Sequence, residues 1–499
     1  SWAFLLFFLL FFFAVFFSHS KEMKFGSVLV LALAAMAAVS EARRHIYYGA
    51  GAEGGARNED VFKWFTQRND HFDKQDVSTW QQRYMVNATF WRGNGYPVFV
   101  MLGGEGPLGA AELAGHFILN EKAEKMGALM VAVEHRFYGQ SIPGDGTLST
   151  KNLALLSADQ ALADYAVFID FIKSTYRCAD SKVVTFGGSY SGSLSAWMRQ
   201  KYPNLVDVGY SSSAPVLAQL DFPEYHKVVT ASVGPACAAR LAAAFQTIEK
   251  LMRVNRSKVL DDFDACDRQM SGDLDEVTFL EALSDAVAGV VQYSGDNNGL
   301  GRMWDVKKMC AKIGTTGDAY ESYAAFAREF RRSQGESCTE SSYQAAIKEL
   351  RNTDPTAPTA AGRSWTYQTC TEYGYYQTVE STDVPFSQRI TLDYFLGMCR
   401  DVYGIDTAKP AVSVKYTNSY YGGRDVRSNK IVFLNGSVDP WHALGLVSDT
   451  PKPQDMPVYY IEGTAHCADL YGSSANDLKS LTDAREKAWY YVDLWLKEN

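Results

Sequence analysis

The chain has 499 residues, enough for two or three units at about 150 residues each, or for one large fold carrying an insertion. Its 48 Lys and Arg against 57 Asp and Glu leave a net charge of -9, which gives no electrostatic reason for a nucleic-acid partner. With 47% hydrophobic and 21% charged residues it stands well away from disordered compositions.

Residues 2–17 are almost unbroken Phe and Leu, and a second apolar run at 25–39 follows Met23 and Lys24. Met23 reads as the start of a secretory signal peptide, with Lys24 as its basic region, 28–39 as its apolar region and small residues near 38–42 for cleavage. Residues 1–22 then read as translated upstream sequence. A membrane anchor is the competing reading, but each run falls short of the roughly 20 residues that span a bilayer. The expected destination is secreted or lysosomal, with no stable membrane anchor. Three Asn-x-Ser/Thr triplets, at Asn87, Asn255 and Asn435, suit that route. Six of the eight cysteines fall between 237 and 399, which predicts a disulfide-stapled middle region with Cys178 and Cys467 free. No cysteine or histidine cluster has zinc spacing.

A glycine-rich leader occupies 49–55. Beyond about residue 60, short apolar runs at 97–102, 128–133, 183–186, 208–212, 431–434 and 458–461 read as strands of a mainly parallel sheet. Between the second and third runs, Leu162, Tyr165, Ala166, Ile169 and Ile172 share one helical face, with Asp164 and Asp170 off it. Residues 478–496 read as a closing amphipathic helix. The stretch 222–415 lacks the alternation and reads largely helical, broken by the two prolines of 354–360. The division is therefore a signal and upstream segment at 1–42, an α/β domain at 60–221 and 416–499, and a helical insertion at 222–415.

The segment VVTFGGSYSGSLSAWM at 183–198 carries the chemistry. A buried strand runs into two glycines, and Ser189 heads a helix, which is the arrangement of a nucleophile elbow. Ser191 stands where the simple G-x-S-x-G pattern has glycine, and is itself a rival nucleophile. It lies farther into the helix, where its hydroxyl would bond the preceding turn, so Ser189 is the expected nucleophile. A serine hydroxyl needs a base held in the right tautomer, and on this scaffold the chain order is Ser, acid, His. Only His226, His442 and His466 follow Ser189. His226 opens the insertion without strand-end context. His442 lies too close to Asp439 to bridge it to a distant serine. Asp439, on the loop after the strand at 431–434, is the expected acid, and His466, after the next strand, the expected base. The backbone N–H of Tyr190 and that of Gly104 in the loop GGEG at 103–106 are the expected oxyanion donors. Glu105 on that loop is expected to face the substrate.

The segments QRNDHF at 67–72, GGEGP at 103–107, EHRFYG at 134–139, GGSY at 187–190, SWTYQTCTE at 364–372 and NGSVDPW at 435–441 resemble the serine carboxypeptidase family that includes lysosomal Pro-X carboxypeptidase, dipeptidyl peptidase II and thymus-specific serine protease. The wording of the elbow and of DPWH at 439–442 looks most like the thymus-specific branch. The resemblance spans about residues 60–495. It implies an α/β-hydrolase fold with an inserted mainly helical cap, the triad Ser189, Asp439 and His466, and hydrolysis of peptide bonds near proline, with Trp441 walling a proline pocket. Peptide is then the substrate, no metal or organic cofactor is needed, and a homodimer stays open. Two other classes remain: an esterase or acyl transferase using the same triad, and a hydrolase-like ectodomain that only binds.

Overall fold

Residues 61–295, 303–379, 381–447 and 455–498 are described by a computed structural model. The expected signal and upstream segment at 1–42 and the glycine-rich stretch at 49–55 lie outside them. The predicted apolar runs form strands because each can be buried on both faces. Strands β3 (Val98–Leu102), β4 (Leu129–Val133), β5 (Val183–Gly188) and β6 (Val208–Ser212) are buried along nearly their whole length. Two strands not predicted, β1 (Lys63–Arg68) and β2 (Thr79–Asn87), precede them and pair antiparallel. The chain then leaves the sheet and returns at β9 (Ile431–Gly436) and β10 (Val458–Ile461). The eight strands lie in the order β1-β2-β4-β3-β5-β6-β9-β10, parallel from β4 onward, which is the α/β-hydrolase arrangement.

Alternation along each strand divides the core in two. Val98, Val100 and Leu102 point to one face with Leu129, Val131 and Val133, while Phe99 and Met101 point to the other with Met130 and Ala132. The first face packs against the helices Ala158–Thr175 and Tyr190–Lys201, continuous with the core of the insertion. The second is covered by Ile118–Met126 and the closing helix Lys479–Lys497, with Trp489 stacked on Phe186.

Between β6 and β9 the chain is largely helical, as expected. It also contains two short strands, β7 (Gln219–Asp221) and β8 (Gly374–Tyr376), which pair with each other. Three disulfides staple it: Cys237–Cys310, Cys266–Cys338 and Cys370–Cys399, with Cys178 and Cys467 free and buried. They suit a chain folded in an oxidising compartment. The helix Glu224–Val254 is long and apolar enough to cross a membrane by composition, but Gly234 breaks it at φ 75° before Pro235, and Cys237 ties it to its neighbour.

Two residues meet surroundings that the sequence did not specify. Asp164 lies off the apolar helical face in period, yet it is fully buried. Arg136 clamps it from two nitrogens at 2.6 and 2.7 Å, and His71 Nε2 lies 2.8 Å away. Asn435 of the third glycosylation triplet is also buried, its amide donating to the Leu446 carbonyl at 2.7 Å, so it is closed to a glycan in the folded chain. Asn255 is exposed.

Removing one partner of a buried charge pair leaves the other charge unpaid for in a dry interior. Asp164→Ala is expected to destabilise the fold by about 3–5 kcal/mol, read as a lowered urea midpoint. Asp170→Ala, on the exposed side of the same helix, should leave the midpoint within about 0.5 kcal/mol of the parent.

Candidate active site

The end of β5 turns into the following helix through a residue that pays a conformational cost. Ser189 sits at φ 59° and ψ −130°, a combination that a non-glycine residue adopts only when its surroundings enforce it. The enforcement is visible. The Ser189 amide donates to the Ser212 carbonyl at 3.0 Å, and a side chain at position 187 would collide with the Ser191 carbonyl. Ser191, the rival nucleophile, is committed elsewhere: its Oγ donates to the Gly188 carbonyl at 2.8 Å and accepts from the Gly188 N–H at 3.0 Å. It closes the turn. The turn also needs a glycine at 192, where a side chain would collide with the Ser212 carbonyl.

Asp439 and His466 leave the carboxyl ends of β9 and β10. His466 Nδ1 lies 2.9 Å from Asp439 Oδ2, both residues are buried, and the other carboxylate oxygen of Asp439 accepts the Trp441 amide at 3.0 Å. Burial opposes a charge on His466, but Asp439, with Cys467 beside it, outweighs burial and holds the imidazole pKa well above its ordinary value. The loop carrying His466 is pinned to the same strand end as the elbow. Cys467 N–H donates to Ser213 Oγ at 2.9 Å, and its thiol fills the space where a side chain at Gly188 would stand.

The 103–106 loop lies against the elbow: a side chain at Gly104 would come within 3.3 Å of Ser191 Cβ. Among the described residues neither the Gly104 nor the Tyr190 N–H donates to a protein acceptor. The loop is anchored by buried Glu134, which accepts the Leu108 N–H at 2.9 Å, the Ser141 hydroxyl at 2.6 Å and the Arg83 guanidinium.

Two sequence motifs whose purpose was not legible meet at the Tyr190 side chain. His135 donates from Nδ1 to its neighbour's carbonyl at 2.6 Å, so its Nε2 accepts from the Tyr190 hydroxyl at 3.0 Å. Burial pushes the His135 pKa down to about 4, keeping this ring neutral. Gln368 donates to the same hydroxyl at 3.0 Å and to Glu372 at 2.9 Å, and it accepts from Tyr138 at 2.6 Å. Tyr190 is thus held at both ends, by helix and by network.

A cavity of about 200 Å³ opens at Ser189, lined also by Glu105, Tyr190, Trp441 and residues of the insertion. Burial raises the Glu105 pKa, against the pull of its own amide and of His466. One residue that sequence reasoning missed joins insertion to site. Gln292, at the end of the helix Asp273–Gln292, accepts the His466 amide on its backbone carbonyl at 2.8 Å. Its side-chain oxygen accepts from Trp441 Nε1 at 3.0 Å and from the Tyr225 hydroxyl at 2.7 Å. Tyr293 follows with its ring edge-on to His466 at 5.9 Å. A lone glutamine in a helix carries no motif.

The other two histidines stay outside this constellation. His226 is a core residue, its Nε2 3.1 Å from the Gln377 carbonyl, and burial pushes its pKa down to about 4. His442 packs edge-on to Tyr460 and touches Asp439 only through its backbone. Among the described residues no group of three or more His, Cys, Asp or Glu could hold a metal ion.

Residues 67–488 match the family described as Serine carboxypeptidase S28. Thymus-specific serine protease of Mus musculus is 36% identical over 455 residues, covering 87% of this chain and 87% of that protein. Lysosomal Pro-X carboxypeptidase of Homo sapiens is 28% identical over 460 residues, 89% of each. Among solved structures, a probable hydrolytic enzyme of Pseudomonas aeruginosa aligns with a TM-score of 0.35 and 11% identity, covering 91% of this chain and 100% of that one.

Replacing Gln292 by Ala removes the side-chain oxygen to which Trp441 and Tyr225 donate while leaving the backbone tie to His466. A fall in kcat of about tenfold is expected, the scale of a lost buried hydrogen bond. Gln292→Glu, which keeps an accepting oxygen, should recover most of it; equal loss in both would point to packing alone.

Proposed function

We propose, from the premise that this chain belongs to the serine carboxypeptidase S28 family and is a serine-type peptidase, that Ser189, His466 and Asp439 form its catalytic triad. The observation that carries this reading is the strained Ser189 backbone, held at the same strand end that pins the loop of the Asp439–His466 pair. Strain of that kind at a hydroxyl is hard to account for in a capping serine.

The chemistry follows from where protons go. His466 Nε2 takes the Ser189 proton as the hydroxyl oxygen attacks the peptide carbonyl, and the bonded Asp439 steadies both tautomer and imidazolium. The free N–H groups of Tyr190 and Gly104 receive the developing oxyanion. The amine leaves with the proton from His466, and water then repeats the cycle on the acyl-enzyme. No resident metal or cofactor enters these steps. The helical insertion acts as a cap, and a bounded cavity beneath it suits a chain end better than a chain running through, which supports an exopeptidase. The preference near proline draws on the Pro-X carboxypeptidase relatives and on the aromatic walls of Trp441 and Tyr225, flat faces suited to a pyrrolidine ring. The same relatives, with the three disulfides, support a lysosomal or secreted destination.

A fluorophosphonate probe should label the parent chain and Ser191→Ala, while Ser189→Ala should lose labelling and about 10⁴–10⁶ of kcat. Labelling that survives Ser189→Ala removes that serine from the mechanism. Cleavage of p-nitrophenyl esters without cleavage of Pro-containing peptides would move the chain to the esterase class.

His466 must be neutral to act, and its pKa is held above the ordinary value. The acid limb of kcat/KM should therefore rise with pH to a midpoint above that of free imidazole. In Asp439→Asn that midpoint should fall, with activity down about 10⁴-fold.

A further inference from the structure

The insertion contributes one helix face to the cavity, and that face carries a carboxylate with no counter-charge. Asp285, Ala288, Gly289 and Gln292 line it at the three- and four-residue spacing that puts them on one stripe of the helix Asp273–Gln292. Among the described lining residues the charged side chains are Glu105 and Asp285, and there is no Lys or Arg. The buried carboxylates of Asp164 and Glu134 are by contrast paired with Arg136 and Arg83. Asp285 has no hydrogen bond or ion pair among the described residues. Glu281, one turn back, accepts from the Tyr394 hydroxyl at 2.7 Å, and burial with Asp285 beside it raises its pKa, so it supplies no counter-charge to its neighbour.

An unpaired carboxyl facing a partly enclosed cavity is costly in the empty enzyme, and a ligand cation offsets that cost on binding. The aromatic rings of Tyr225, Tyr293, Trp365 and Trp441 around the same space tolerate a cation against their faces. We infer that Asp285 is a specificity residue of the substrate site, and that the preferred peptides carry an ammonium or guanidinium group that reaches it. This deepens the peptidase reading and rests on it for the site's identity. The cation can come from two sources, a free N-terminus or a Lys or Arg side chain.

Burial raises the pKa of Asp285, and Glu281 with the phenols of Tyr323 and Tyr394 faces it from the insertion, with Glu105 across the cavity. Ionisation and cation capture are therefore coupled, and the comparison is made at about pH 8, where a raised carboxyl is charged.

Three matched peptides decide it: one with Lys or Arg, one with norleucine in its place, and the first with its N-terminus acetylated. On the parent chain, kcat/KM for the better cationic peptide should exceed that of its neutral partner by about 10- to 100-fold, the range of a charge-assisted hydrogen bond. In Asp285→Asn that ratio should collapse to about one. Loss on acetylation assigns the N-terminus as the source, and loss on norleucine substitution assigns the side chain. A ratio near one on the parent, or a ratio unchanged in Asp285→Asn, overturns the proposal. Calorimetric titration of Ser189→Ala with the same peptides reads recognition apart from turnover. If the parent cleaves no peptide while Ser189→Ala still prefers the cation, the peptidase reading fails and Asp285 recognition stands.

Discussion

The geometry of the site depends on what is bonded to the carboxyl end of β6. Ser212 accepts the elbow amide of Ser189 on its carbonyl and donates its hydroxyl to Asp469 at 2.6 Å. Ser213, itself at φ 46°, donates its amide to the Leu434 carbonyl of β9 at 2.7 Å and accepts the Cys467 amide on its hydroxyl. Two adjacent serines thus tie the loop after β5, the end of β9 and the loop after β10 to one point. Residues 189, 439 and 466 are remote in the chain, and this strand end is what sets their relative places. The strain at Ser189 persists because so many partners fix it.

The insertion completes what the sheet begins. It provides the far wall of the cavity and, through Gln292, an acceptor for the backbone of the loop that carries His466. Its fold is stapled by three disulfides rather than left to packing alone, which suits a wall bonded directly to the loop of His466. The cap and the proposed triad are in this sense one mechanical unit, because a shift of that helix end would be felt at His466 and Trp441 together.

Much of this was legible in the sequence for a physical reason. A strand buried on both faces must be apolar throughout, so β3 to β6 and β9 stood out as continuous runs. β1, half exposed with a polar alternation, and its partner β2 did not. The elbow turn and the candidates for acid and base could be named because the chemistry dictates residue type and chain order. What stayed hidden depends on chain segments meeting: disulfide pairing, the burial of Asp164 beside Arg136, the closure of Asn435, and the Gln368 and His135 contacts to Tyr190. Helical period places a residue on a face but does not say what the opposite face will meet.

The most direct test is a crystal structure of the fluorophosphonate adduct. The account predicts a phosphorus–oxygen bond to Ser189 Oγ, the phosphoryl oxygen within hydrogen-bond distance of the Tyr190 and Gly104 N–H groups, and His466 Nε2 beside the leaving-group position with its Nδ1 still on Asp439. An adduct on any other residue, or an imidazole of His466 turned away from it, would contradict the account.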